Sequence, residues 1–111
     1  MTVKTKEFDH VAVVTVKGKL MGGPETDEVH EQVKQILVQG KKKIVCDVSK
    51  VKWLNSRGLG MLMACYTSVT NAGGELRLAG VTDKVNNLLM ITKLVTIFKS
   101  FNSVDEAIRS F

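Results

Sequence analysis

The spacing of apolar residues changes repeatedly along the chain, and each change marks an element. Residues 8–16, FDHVAVVTV, are rich in β-branched side chains and lead to Gly18, which predicts a strand running into a turn. The polar residues 2–7 just before it suit an edge strand paired with it. After KGKLMGGPET, Pro24 fits the first turn of a helix, where a missing N–H costs nothing. Val29, Val33, Ile36 and Leu37 then recur at helical spacing, and Gly40 supplies the stop. Residues 43–48, KIVCDV, read as a buried central strand. Beyond Ser56, residues Leu59, Leu62, Met63, Tyr66 and Val69 outline one helical face that Asn71-Ala72-Gly73-Gly74 ends. Residues 76–79 form a short strand, Thr82 is placed to cap a helix containing Val85, Leu88 and Leu89, and residues 95–98 predict a last strand. Ser103-Val104-Asp105-Glu106 is a capping box opening a final helix.

The expected order is strand, strand, helix, then three further strand–helix units. Such alternation predicts an α/β fold: a mixed, mostly parallel sheet of four to five strands, right-handed crossovers and four helices. The apolar stripes are modest, so helices need not cover both sheet faces equally. A chain of 111 residues suits one domain over residues 1–111.

Composition narrows the classes. With 44% hydrophobic and 24% charged residues, the chain is ordinary for a folded soluble domain. No apolar run is long enough for a membrane span, and the first ten residues lack the apolar core of a secretory signal, so a cytoplasmic protein without membrane contact is expected. The net charge of +5 is spread over both halves. Its only run, Lys41 to Lys43, has no ladder of aromatics for base stacking, so no nucleic-acid partner is expected.

Chemistry is scarce. His10 and His30, assigned to a strand and a helix near the surface, have no partner at metal-ligand spacing, and Cys46 and Cys65 read as buried free thiols. Neither metal nor cofactor is implied. Gly58-Leu59-Gly60 matches neither a dinucleotide fingerprint nor a P-loop. No nucleophile, base and oxyanion set converges, so the chain does not read as an enzyme.

What remains is Ser56, at or next to the cap of the second helix, on the edge where parallel sheets carry functional groups. A structural account has it capping the helix. Gly58 and Gly60 in the first turn argue for more, since each costs roughly 1 kcal/mol against alanine. Something approaches closely there, either the protein's own sheet or another protein.

The stretch DVSKVKWLNSRGLGMLM resembles the signature of STAS domains, and in particular bacterial anti-sigma factor antagonists, with their Asp-Ser-Ser/Thr-Gly-Leu-Gly motif. GKL near Gly18, NAGGELRLAGV, and VNNLLMITKLVTIFKSFNSVDEAI resemble the family's other segments, so the likeness covers nearly the whole chain. The resemblance implies that Ser56 is phosphorylated by a partner anti-sigma factor that is also a serine kinase. Phosphorylation then breaks the complex, and a serine phosphatase restores it. It further implies partner contacts at Met21, Gly22, Gly23, Asn55, Ser56, Arg57, Gly58 and Gly60. The chain departs from the pattern where Asn55 replaces Asp, Arg57 replaces Ser or Thr, and Met21 replaces Asp. All three changes remove acidity or add positive charge. They motivate the alternative of a STAS scaffold or transport-complex subunit that is not phosphorylated.

Overall fold

The computed structural model describes residues 3–111. A five-stranded sheet runs in sequential order: β1 (Val3–Phe8), β2 (Val11–Leu20), β3 (Lys43–Leu54), β4 (Glu75–Ala79) and β5 (Lys99–Phe101). β1 pairs antiparallel with β2, and every other pair is parallel. The helices are α1 (Pro24–Val38), α2 (Ser56–Asn71), α3 (Asp83–Ile91) and α4 (Val104–Arg109).

The mixed, mostly parallel sheet and the element order are those expected from the sequence, but several boundaries moved for physical reasons. The strand expected over residues 8–16 begins instead at Val11, because Phe8 closes β1; of the expected edge segment, Thr2 lies outside the described residues. Asp9 and His10 both take positive φ (48° and 67°), as required by a two-residue hairpin turn whose twist matches its strands. His10 therefore sits in a turn, not on a strand. β2 then passes through Gly18 to Leu20, and β3 runs six residues past Val48 to Leu54. Their pairing includes two register shifts, between Thr15 and Lys17 and between Gly18 and Lys19, which let polar residues enter without ending the strands.

The last strand is displaced as well. Lys93 takes a left-handed conformation (φ 63°), and Leu94–Thr96 form a 3-10 turn where a strand was expected. Phe98 is buried and meets Tyr66 edge-on, with ring centroids 5.6 Å apart. That anchor delivers Lys99–Phe101, rather than residues 95–98, to the edge of β4. Side-chain apolarity in 95–98 marked an anchor and an exposed turn, not the pairing segment.

The two sheet faces are unequal. On one, α1, α2 and α3 cover the main core, including Val14, Val16, Leu20, Ile44, Val48, Leu62 and Leu78. On the other, α4 is the only described helix that packs, with Ala107 against Val11, Val13, Val45 and Ala79. Ser103 Oγ caps α4 by accepting from the Glu106 N–H (3.1 Å), while the Glu106 carboxylate accepts from Asn102 N–H rather than from that of Ser103. Arg77, buried on the α4 side, stacks over the Phe111 ring at 3.9 Å and donates to Glu75 and to the Ser110 carbonyl.

Cys46 and Cys65 are buried free thiols. Burial pushes the Cys65 thiol from 9.0 up to about 12, against the opposing pull of Lys34, and burial raises Cys46 as well. The folded state thus holds both thiols protonated where an unfolded chain would ionise them. Their contribution to stability is complete below pH 9.0 and is lost as pH rises toward about 12. Denaturant midpoints measured across that alkaline range should fall, and the Cys46→Ala/Cys65→Ala double variant should show a shallower fall. An identical slope in both proteins would exclude the thiols as its source.

Candidate functional site

The long pair β2–β3 carries the site beyond the other strands. β4 pairs with β3 only as far as Asp47 and β1 with β2 as far as Val16, so among the described residues the C-terminal halves of β2 and β3 project as a two-stranded ribbon toward the start of α2. At its tip, the Asn55 N–H donates to the Leu20 carbonyl at 3.3 Å.

Asn55, not Ser56, is the helix cap. Its Oδ1 accepts from the Arg57 N–H (3.0 Å) and the Gly58 N–H (3.1 Å), while its Nδ2 donates to the Met21 carbonyl at 3.0 Å. One amide thereby closes α2 and ties it to the loop leaving β2, using an acceptor and a donor that a carboxylate does not combine. Asn55→Ala should cost roughly 2 kcal/mol, by loss of the cap and of the loop bond. Asn55→Asp should recover only part of that, because it restores the acceptor and sets a carboxylate against the Met21 carbonyl. Urea unfolding of the three proteins gives the order, and an Asp variant as stable as the wild type would refute the role of the loop bond.

With the cap supplied by its neighbour, Ser56 is the first residue of a sixteen-residue helix and is exposed. Its hydroxyl is not needed to hold the helix end. Asn55 Oδ1 takes two of the first N–H groups and leaves that of Ser56 outside the cap, at the positive pole of the helix. No acidic residue lies in this first turn, and Arg57 is exposed beside the serine.

The two glycines divide. Gly58 is buried, and a Cβ there would collide with the Leu20 carbonyl oxygen and lie 2.6 Å from Leu54 Cδ1. Its bareness serves close packing of α2 on the end of β2, so Gly58 does not offer a surface to a partner. Gly60 is exposed with no atom near a Cβ, so the fold itself makes no demand for it.

Met21, Gly22 and Gly23 form the facing loop. Gly22 and Gly23 take φ of 103° and 83°, and Gly22 N–H donates to the buried Thr26 Oγ1 at 2.9 Å. Arg57 lies across Gly22, where a Cβ would approach its Cδ to 2.7 Å. The structure therefore brings Met21, Gly22, Asn55, Ser56 and Arg57 together, with Gly23 at the entry to α1 and Gly60 one turn further along α2.

Residues singled out only by the structure adjoin them. Trp53 is 50% exposed at the end of β3, with the Lys84 ammonium 3.6 Å over its ring, and Ile91 is 77% exposed nearby. A lone tryptophan following a lysine at a strand end was the available signal. It carried no periodicity, so the pattern of the chain passed over it.

Between α1 and α2, Asp27, His30, Glu31, Lys34 and Arg57 line a polar cleft. His30 shares a 2.9 Å hydrogen bond with Ser68 Oγ and joins the two helices. Burial, reinforced by Lys34, holds its pKa below the ordinary value against the attraction of Glu31 and Asp27. Among the described residues no group of side chains has the makings of a metal site, and no helix is long and apolar enough to cross a membrane.

Comparison with known proteins fits this geometry. The STAS domain model matches residues 2–107. A Thermotoga neapolitana protein named as an anti-sigma factor antagonist homolog is 31% identical over 74 residues, covering 67% of this chain and 66% of that protein. The chain thus spans just under two thirds of that relative's length. The anti-sigma-B factor antagonist of Staphylococcus aureus is 28% identical over 96 residues, 85% of this chain and 86% of that one. A crystal structure from Thermotoga maritima, described as an anti-sigma factor antagonist, superposes with a TM-score of 0.82 at 25% identity, over 97% of this chain and 92% of that chain. With a family model matching from residue 2 to residue 107 and this sheet order beneath it, the chain belongs to the STAS domain family.

Proposed function

We propose that this protein is an anti-sigma factor antagonist of the cytoplasm, acting by docking rather than by catalysis. It binds an anti-sigma factor through the edge formed by Ser56, Arg57, Gly60 and the loop from Met21 to Gly23. The anti-sigma factor, itself a serine kinase, phosphorylates Ser56 and is thereby released, and a serine phosphatase resets the cycle.

The observation that carries this reading is the exposed Ser56 hydroxyl at the first position of α2, relieved of capping by Asn55. A hydroxyl held there is accessible to a kinase, and the helix start accommodates the anion that results. The names of the relatives support the same reading. With Asn55 as its cap and Arg57 beside Ser56, the first turn of α2 carries no acidic charge, which favours a partner with a more acidic face.

The test is direct. The protein is incubated with ATP and the serine kinase encoded near its gene, and phosphate is mapped by mass spectrometry. Label on Ser56 that is absent from Ser56→Ala is expected. If no phosphate appears while the two proteins still bind, the switch is refuted, and a constitutive scaffold takes its place.

A further inference from the structure

The projecting ribbon has one face in the core, through Val16, Leu20, Val48 and Val51, and one face that no described residue covers. Among the described residues, β1 reaches along β2 to Val16, β4 reaches along β3 to Asp47, and α4 covers the sheet no further than Val11, Val13, Val45 and Ala79. On the ribbon, Lys17 stands opposite Lys50, Lys19 stands opposite Trp53, and Lys52 lies between them in sequence. All four lysines are exposed. None of them forms an ion pair among the described residues. The nearest acid on the preceding rung, Asp47, accepts the Ser49 N–H through Oδ1. Like charges directly opposite on neighbouring strands are destabilising, so the fold gains nothing from this arrangement.

At the tip, the Trp53 ring carries Lys84 on one face. Beside it runs an apolar groove formed with Leu54, Leu88 and Ile91. An unbalanced positive face next to such a groove selects a ligand with negative charge around an apolar anchor. Single-stranded nucleic acid fits less well, because its bases need open aromatic faces and the lysine ammonium covers one face of the ribbon's only aromatic ring.

We propose that this ribbon is a docking surface for an acidic segment of a partner protein. An aliphatic side chain of the segment occupies the groove beside Trp53, and its carboxylates meet Lys17, Lys19, Lys50 and Lys52. The inference rests on the reading that the chain works by protein docking at its Ser56 edge, and it adds the charge class of the partner.

The test uses the full chain, labelled with nitrogen-15 and titrated with a glutamate-rich synthetic peptide bearing one central leucine. Amide shifts should be confined to residues 17–20, 50–54 and 84–91, and affinity should fall as salt rises. Replacing the four lysines by glutamine should weaken binding roughly tenfold or more without loss of fold, since all four are exposed and Lys17 and Lys50 repel each other. No shifts, unchanged affinity in the glutamine variant, or tighter binding of oligothymidylate or phosphatidylglycerol vesicles to the same residues would overturn the proposal. Ser56→Ala should bind the peptide like the wild type. Peptide binding without phosphorylation of Ser56 would therefore remove the switch and leave the ribbon surface standing. Phosphorylation without peptide binding would do the reverse.

Discussion

Gly58→Ala should lower the stability of this domain by about 3 kcal/mol, near the upper end for inserting one methyl group into a packed site. The obstacle is backbone. A Cβ at this position collides with the Leu20 carbonyl oxygen and lies 2.9 Å from the Leu20 carbonyl carbon. That carbonyl also accepts the Asn55 N–H, so it does not swing aside without breaking the junction of β2 with α2. Gly60→Ala, two residues on in the same helix, should instead raise stability by roughly 0.5–1 kcal/mol, because it removes the entropic penalty of a helical glycine and meets open space. Urea denaturation of the two variants beside the wild type decides the matter. Shifts of the same sign would contradict the packing account. A Gly60→Ala protein that is more stable yet binds its partner less tightly would identify Gly60 as a place of close partner approach.

Phosphorylation of Ser56 should leave the fold intact and weaken partner binding by roughly a hundredfold, equivalent to about 3 kcal/mol. The two effects separate because they act on different sides of the same atom. Toward the protein, about two negative charges arrive at the start of α2, where the helix dipole contributes roughly 0.3–1 kcal/mol in their favour. Asn55 keeps its cap, since Ser56 contributes no bond to it. Toward a partner, the phosphate displaces whatever packs on this exposed edge. An acidic partner face suited to the neighbouring lysines meets it with like charge. Calorimetric titration of the phosphorylated and unmodified proteins, with a thermal melt of each, reads both effects. Equal affinities would refute the switch, and a large drop in melting temperature would show that the modification acts by unfolding.

Much of this was legible in the chain because local chemistry and tertiary demand agreed. Pro24 starts α1, Thr82 caps α3, Ser103 caps α4, and Gly40 follows α1 in a left-handed conformation; each is a residue whose own backbone preference matches its place. The strands were less legible at their ends. Lysines at positions 50 and 52 look like the exit from a strand, yet β3 continues through them because β2 runs alongside and its register shifts absorb the extra residues. Residues 95–98 are apolar enough for a strand, but only the docking of Phe98 against Tyr66 decides which segment reaches β4.

The site shows the same division. The sequence by itself determined that a serine stands at the start of an amphipathic helix following a parallel strand and that two glycines follow it. These are properties of residue type and spacing along a few turns of chain. Only the tertiary structure decided that Asn55 does the capping, that Gly58 answers to the Leu20 carbonyl while Gly60 answers to nothing described in the fold, and that Lys84 stacks on Trp53 at the end of a ribbon whose four lysines form no ion pair among the described residues. Those relations join residues far apart in the chain. Which atom bonds or blocks which is set by how strands and helices pack, and no local preference encodes that.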